Sequence, residues 1–356
     1  MSTNNKWGTA QLAVVNAVDA DVFDSMSLGM SVFPSGYQPA PDCLCDGDPT
    51  CFGALPMGVA CGAPTLPTVA ISAAGTLKSS ASTGVRHSIY DYLTGHSPET
   101  SDPSDSSPIY DSLVGGYAAI QALGSVDKRL LVLITDGGFS CTSVSTRSGI
   151  SDGMCPDWEY PDAVNALITK ARTDASKPVE TFIVGVPGSD STGEMQGPYA
   201  TAPYHMRLAL STYAVSGSPD TVDPTCDKTA TFSQTGADPA HPCHIDLSSG
   251  TAFNPTALAG AIKKIRGQSL GCVYDLPDPG AGQTVDKDQV NVLATIDGTQ
   301  ALVPKRKDSS DDCSTAPCWD YDANGKVAIL GKECADLSAA TMAKVDIYVG
   351  CDTIIK

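Results

Sequence analysis

The sequence predicts an α/β fold with a mostly parallel sheet, followed by a small β-rich region. Residues 130–134 are five consecutive aliphatic residues, and residues 179–186 are predicted to be another buried strand. Runs of this kind have no polar face, which is typical of strands covered on both sides. Helix-like and strand-like segments alternate over residues 7–266, and this order favours a parallel sheet. Beyond about Gly267, short runs alternate apolar and polar residues, as half-buried strands do.

The first region contains six predicted helices, because apolar residues recur at helical spacing in six segments. These segments are residues 7–20, 81–95, 108–123, 161–173, 205–214 and 255–265. Pro108 stands at the head of the third segment, a position that tolerates proline. The predicted strands are residues 27–33, 130–134, 179–186 and 243–247, and we expect residues 130–134 to be the central strand.

The second region, residues 267–356, is predicted to be a small β-rich domain that contains cysteines. Its short strands are residues 272–274, 290–293, 327–330 and 345–349. Asn324-Gly325 predicts a hairpin. The acidic segment 320–325 also matches half of a calcium loop, but the twelfth position is Gly331 rather than Glu, which favours the hairpin.

The charge of the chain limits its partners. Forty acidic residues against 22 basic ones give a net charge of −18, which argues against nucleic acid or an anionic membrane. It fits solubility, a cation ligand or a basic partner. No apolar run reaches the roughly 20 residues of a transmembrane helix.

The thirteen cysteines predict an oxidising compartment. Most lie among Pro, Gly, Asp and Ser, and four fall in a Pro/Gly-rich insertion at about residues 34–67. This distribution favours disulfides over zinc. The chain has no C-x-x-C pair, and its only close Cys–His couple is Cys243-His244. The N-terminus, however, shows no hydrophobic signal region.

Residues 1–266 resemble a von Willebrand factor type A domain. Leu131–Gly137, with its Thr135-Asp136-Gly137 turn, resembles the family's third metal-site loop. Residues 106–113 resemble its second loop, with Ser107 in the threonine position, and Val184–Val186 resembles its fifth strand. The resemblance implies a Rossmann-like sheet with helices on both faces. It also implies a metal-ion-dependent adhesion site at the carboxyl edge of the sheet.

The start of the chain departs from the family. The family's first loop, Asp-x-Ser-x-Ser, is absent, and Met1–Trp7 looks like the segment that normally follows it. One hypothesis is that an upstream segment carries this loop, the central first strand and a secretion signal. A longer product would then be more stable and less prone to aggregation. The rival hypotheses are a truncated domain or a different use of the first helix.

The resemblance assigns two metal ligands, Ser107 and Asp136. Hydroxyl and carboxylate oxygens suit Mg²⁺ or another divalent cation. Without the first loop only two protein oxygens remain, so we expect weak binding. Glu99, Asp102 and Asp105 lie in the same loop as Ser107. They could substitute for the missing ligands, but a solvated acidic loop is the favoured interpretation.

The predicted function is a non-enzymatic protein-binding or adhesion module, extracellular or in the cell envelope, with an unidentified protein ligand. The alternative is a structural cell-envelope protein that has lost metal binding. A hydrolase on a similar sheet is less favoured, because no Gly-x-Ser-x-Gly motif occurs and the five histidines match no catalytic signature.

Overall fold

A computed structural model describes most of the chain in two compact units, residues 1–259 and 260–356. The described residues are 6–33, 63–96, 107–124, 126, 128–137, 141–142, 157–158, 161–194, 203–223, 225–233, 235–249, 253–274, 276–277, 284–340 and 343–355. Most of the predicted cysteine-rich insertion and the acidic loop before Ser107 lie outside them.

The order of elements is mixed α/β. The described helices are α1 (Lys6–Val18), α2 (Val85–Gly95), α3 (Ile109–Gln121), α4 (Pro161–Arg172), α5 (Met206–Gly217), α6 (Pro255–Leu270) and α7 (Gly331–Ala339). The described strands are β1 (Ser27–Met30), β2 (Val69–Ala73), β3 (Leu130–Thr135), β4 (Cys141–Thr142), β5 (Asp157–Trp158), β6 (Glu180–Gly185), β7 (Thr192–Glu194), β8 (Pro203–His205), β9 (Ile245–Asp246), β10 (Val273–Tyr274), β11 (Val290–Ile296), β12 (Thr299–Val303), β13 (Cys318–Tyr321), β14 (Val327–Leu330) and β15 (Ala343–Val349).

Three strands of the first unit form a parallel sheet in the order β3-β6-β9. The central strand is β6, in which five of the six residues are buried. The prediction that residues 130–134 form the central strand was wrong within the described part of the chain. There β3 pairs only with β6, and four of its six residues are half-buried. A run of aliphatic residues indicates that a strand is buried, but it does not indicate how many strands pair with it.

A second, two-stranded sheet joins β1 and β2 in antiparallel register. Residues 27–33 were predicted to be a buried strand, but β1 ends at Met30 and alternates between exposed and half-buried residues. Strand β2 (Val69–Ala73) was not predicted from the sequence. Only Val69 of its five residues is buried, and three are exposed.

The main core of the first unit lies between α3, α4, α5 and the parallel sheet. Leu113, Ile168, Leu210 and Ile183 all belong to it and are almost fully buried. Each such side chain contributes roughly 1.5–3 kcal/mol relative to exposure. A smaller core joins α1 and α2 to the β1–β2 sheet through side chains that include Val69, Ile89 and Leu93.

A buried arginine ties this smaller core together. The side chain of Arg86 is fully buried. It donates to the carbonyls of Val18 (2.5 Å), Gly75 (2.6 Å) and Leu77 (3.2 Å), and to Asp24 Oδ1 (2.8 Å). Because a guanidinium carries five N–H donors, it can satisfy several chain carbonyls at once.

The second unit contains two three-stranded antiparallel sheets, β10-β14-β13 and β12-β11-β15. All four predicted strands occur, and Gly325, at φ 77°, lies in the turn between β13 and β14. Helix α7 was not predicted. It packs on this core through Leu337, which is fully buried.

Disulfides occur as predicted. Three bridges are described: Cys226–Cys243, Cys272–Cys334 and Cys313–Cys318. Cys351 is exposed and has no disulfide partner among the described residues. Since Cys243 is disulfide-bonded, the Cys243-His244 couple does not supply a zinc thiolate.

Candidate functional site

Two loops of the first unit meet at the carboxyl edge of the parallel sheet. Thr135 ends β3, and its hydroxyl accepts a hydrogen bond from Gly137 N–H at 3.1 Å. Val186, directly after β6, donates its N–H to the Thr135 carbonyl at 2.9 Å. These bonds join the loops that follow β3 and β6, and ligands bind at this edge in open α/β sheets.

Asp136 lies in this edge opposite the first residue of α1. Its Oδ2 is 3.6 Å from Lys6 Nζ, and about a quarter of its side chain is exposed. Gly188 closes the space: a Cβ added there would lie 3.1 Å from the Asp136 carbonyl oxygen and 3.3 Å from Lys6 Nζ. Gly188 has φ 115°, which strongly favours glycine. We call Lys6, Asp136 and Gly188 the edge site.

Ser107 precedes α3, and its carbonyl accepts the Ile109 N–H at 2.8 Å. Helix α3 packs on β3, where a Cβ added at Gly116 would touch Leu131 Cδ1. Leu113 and Ile109, about one and two turns earlier, belong to the same core cluster as Leu133, two residues later in β3. Helix α3 therefore lies against β3, and Ser107 precedes the first turn of that helix.

The donor chemistry of these residues fits a hard divalent cation, because a carboxylate and a hydroxyl are oxygen ligands. The Lys6 ammonium opposes the fit, since it already neutralises Asp136 at 3.6 Å. Within the described part of the chain, no three His, Cys, Asp or Glu side chains form a metal-holding group. A cation at the edge site must therefore compete with a tethered ammonium.

A buried polar pair lies beside the edge site. Ser189 is fully buried and His244 is 5% exposed. A Cβ added at Gly185 would be 2.7 Å from Ser189 Oγ and 3.0 Å from His244 Nε2. Neither atom has a hydrogen-bond partner among the described residues, whereas His244 Nδ1 is 3.3 Å from Ser211 Oγ. Burial of Ser189 keeps it from acting as a nucleophile on an external substrate.

Charges around His244 are arranged at the end of β9. Arg207 is 3.1 Å from Asp246 Oδ2 and 3.0 Å from Asp238 Oδ2. Burial lowers the pKa of His244 to about 4, although Asp246 acts in the opposite direction. Burial would raise the pKa of Asp246, but hydrogen bonds from Ser248 and the charges of His244 and Arg207 lower it overall. His244 is therefore neutral at pH 7 beside an ionised Asp246.

Sequence reasoning missed Lys6, Gly188 and Arg207. Lys6 was visible only as the head of a helix, and its role depends on a residue 130 positions away. Gly188 gave a usable signal, because it lies in the Pro187-Gly188-Ser189 turn that ends a predicted strand. Glu99, Asp102 and Asp105 lie outside the described residues.

Comparisons with known proteins give a distant fold likeness. No protein-family model matches the chain, and no curated protein matches it. A crystal structure of the pilus adhesin SpaC from Lactobacillus rhamnosus GG aligns with 97% of this chain and 36% of the adhesin, at 14% identity and TM-score 0.43. Its open conformation aligns with 98% and 37%, at 13% identity and TM-score 0.41. The chain thus spans about a third of the adhesin's length, and the proposals below rest on this chain's own residues.

Among the described helices, none combines the length and the apolar character needed to cross a membrane.

Proposed function

We propose that the first unit is a non-enzymatic protein-binding or adhesion module of von Willebrand A type, exported to the cell surface or beyond. The observation that carries the proposal is the position of Asp136, directly after a parallel strand at the carboxyl edge of the sheet. The buried β6 strand and the alternation of strands and helices also support it. The three disulfides support an oxidising location.

In this proposal Asp136 and Ser107 hold Mg²⁺ or another divalent cation, and an acidic group of the partner protein completes the ligand shell. Two protein oxygens and the adjacent Lys6 ammonium lead us to expect weak binding. The dissociation constant should be about millimolar, as in other weak extracellular cation sites.

Calorimetric titration with Mg²⁺ tests the cation site. We expect a saturable heat that Asp136→Ala removes and Asp162→Ala keeps. Asp162 is a matched control because it is an exposed carboxylate in the first turn of α4. Circular dichroism and a thermal melt establish that each variant folds, and Asp136→Asn provides an isosteric second test. Equal heats for the wild type and both Asp136 variants would exclude Asp136 as a ligand.

The alternative is a structural cell-envelope protein without metal binding, and the Lys6–Asp136 contact favours it. In that case Lys6 permanently supplies the positive charge that Asp136 requires. A protein that gives no Mg²⁺ heat, even after Lys6→Gln, would support this alternative.

A further inference from the structure

A groove of about 570 Å³ runs between β2 and α2 in the first unit, well away in sequence from the edge site. Its walls include Val69, Ala70 and Ser72 of β2, and His87, Asp91 and Tyr92 of α2. Val69 is buried, whereas Ala70 and Ser72 are exposed. Because successive residues of a strand point to opposite faces, a groove that touches both sets follows the edge of the strand.

This edge of β2 offers backbone groups for pairing. In the described residues β2 pairs only with β1. Ala74 donates its N–H to the Met26 carbonyl at 2.8 Å, so the peptide groups of Ala74 face β1. In an antiparallel ladder this orientation alternates, and the N–H and C=O of Ala73 therefore point away from β1. No Lys or Pro protects the strand, although a bulge near Gly29 limits the regular part to its carboxyl-terminal half.

The charge of the groove indicates what it accepts. Among the described residues that line the groove, Asp91 is the only carboxylate and none is Lys or Arg. The net charge of −18 adds a negative field that attracts basic segments. The same charge opposes the pairing of β2 with β2 of a second copy, because two such chains repel each other.

We propose that this groove binds an extended peptide segment of a partner protein as an added strand beside β2, with a Lys or Arg of the peptide paired to Asp91. Ala73 lies at the end of β2, next to the lining residue Ser72, and its main-chain N–H and C=O supply the pairing. The small side chains of Ala70 and Ser72 leave room for the peptide. This binding surface shares no residue with the edge site and needs no divalent cation.

The test begins with a library of random dodecamer peptides selected on the immobilised full-length protein in EDTA. We expect the enriched peptides to share β-branched residues and at least one Lys or Arg. One of them is then synthesised with a fluorophore and titrated by anisotropy. Ala73→Pro should weaken its binding about tenfold, since it removes an outward N–H while leaving the pairing with β1 intact.

Two exposed carboxylates provide a matched comparison. Asp91→Asn should weaken binding about threefold to tenfold through the lost charge, whereas Asp162→Asn, which changes the net charge equally, should leave binding unchanged. Asp136→Ala should also bind the peptide normally, which separates this proposal from the cation site. Hydrogen exchange should show that the amide of Ala73 is exposed in the free protein and protected in the complex.

Four results would overturn the proposal, and the first three concern the peptide. The library yields no binder, the selected peptide binds folded Ala73→Pro and Asp91→Asn as tightly as the wild type, or the amide of Ala73 stays unprotected in the complex. Analytical ultracentrifugation tests whether a second copy of the chain occupies the edge of β2 instead. A dimer that Ala73→Pro dissociates would assign the groove to a second copy, and this would also overturn the proposal.

Discussion

At the residue scale, the ammonium group of Lys6 reduces the negative charge that Asp136 presents to a cation. Its Nζ is 3.6 Å from Asp136 Oδ2, so Lys6→Gln removes a positive charge next to the proposed ligand. We predict that this change strengthens Mg²⁺ binding about threefold to tenfold, as expected for one unit charge a few ångströms away in a partly solvated site. Calorimetry checks this, with Lys128→Gln as the control.

Lys128 is a suitable control because it lies before β3, within 4.0 Å of Glu180 at the opposite end of the sheet. Lys128→Gln should leave the affinity for Mg²⁺ unchanged. Weaker Mg²⁺ binding in Lys6→Gln than in the wild type would contradict the prediction, because Lys6 would then help to build the site.

His244 is predicted to make the stability of the first unit depend on pH. Its pKa is lowered from 6.5 to about 4 by burial, so the unfolded chain takes up a proton before the folded one does. The contribution of His244 to the free energy of unfolding is therefore fully present above pH 6.5. It falls by about 3 kcal/mol as the pH drops towards 4. Urea unfolding at pH 7, 5.5 and 4 measures this loss.

His244→Gln should flatten the pH dependence between pH 6.5 and 4, because glutamine does not titrate. His241→Gln serves as the matched control, since His241 is exposed and only three residues away. If both variants follow the wild-type profile, burial of His244 does not govern the acid response.

At the element scale, the end of α5 lies against the backbone of β6. A Cβ added at Gly217 would be 2.2 Å from the Thr181 carbonyl oxygen. We predict that Gly217→Ala destabilises the protein by roughly 1–3 kcal/mol, because helix and strand would have to separate. Gly260→Ala in α6 meets no atom within 4 Å and should be neutral or slightly stabilising. Thermal melts check this prediction. Equal melting temperatures for the Gly217→Ala and Gly260→Ala variants would refute the packing argument.

Helices were more predictable than sheet neighbours. Each of the six predicted helices occurs within a few residues of its expected bounds, because helical periodicity is local. The position of β3 was wrong because strand order depends on pairing between distant segments. Helix α7 was missed because its short segment 331–339 begins with glycine and carries few apolar residues.

The candidate site was only partly accessible from sequence for the same reason. Asp136 could be proposed as a ligand because the end of a strand and the loop after it can be predicted from consecutive residues. The Lys6–Asp136 contact and the many bonds of Arg86 join segments far apart in the chain. No local pattern encodes such contacts, and they appear only when the elements are packed together.

At the scale of the whole molecule, the two described disulfides of the second unit should contribute unequally to its stability. Cys272–Cys334 closes a span of 62 residues in the second unit, and Cys313–Cys318 closes one of only 5. Chain-entropy arguments give about 4 kcal/mol for the longer span and about 2 kcal/mol for the shorter. The double variant Cys272→Ser/Cys334→Ser should therefore melt at a lower temperature than Cys313→Ser/Cys318→Ser. The reverse order would show that local packing outweighs loop closure.

The placement of two tryptophans gives each unit its own optical reporter. Trp319 is fully buried in the second unit, whereas half-buried Trp7 follows Lys6 in the first unit and donates its indole N–H to the His96 carbonyl at 3.0 Å. Once Trp158 is replaced by Phe, the emission spectrum contains only these two indoles. Removing either one then allows denaturant titrations to follow the units one at a time, and Trp7 emission can register a cation arriving next to Lys6. Fluorescence can thus resolve whether the units unfold together.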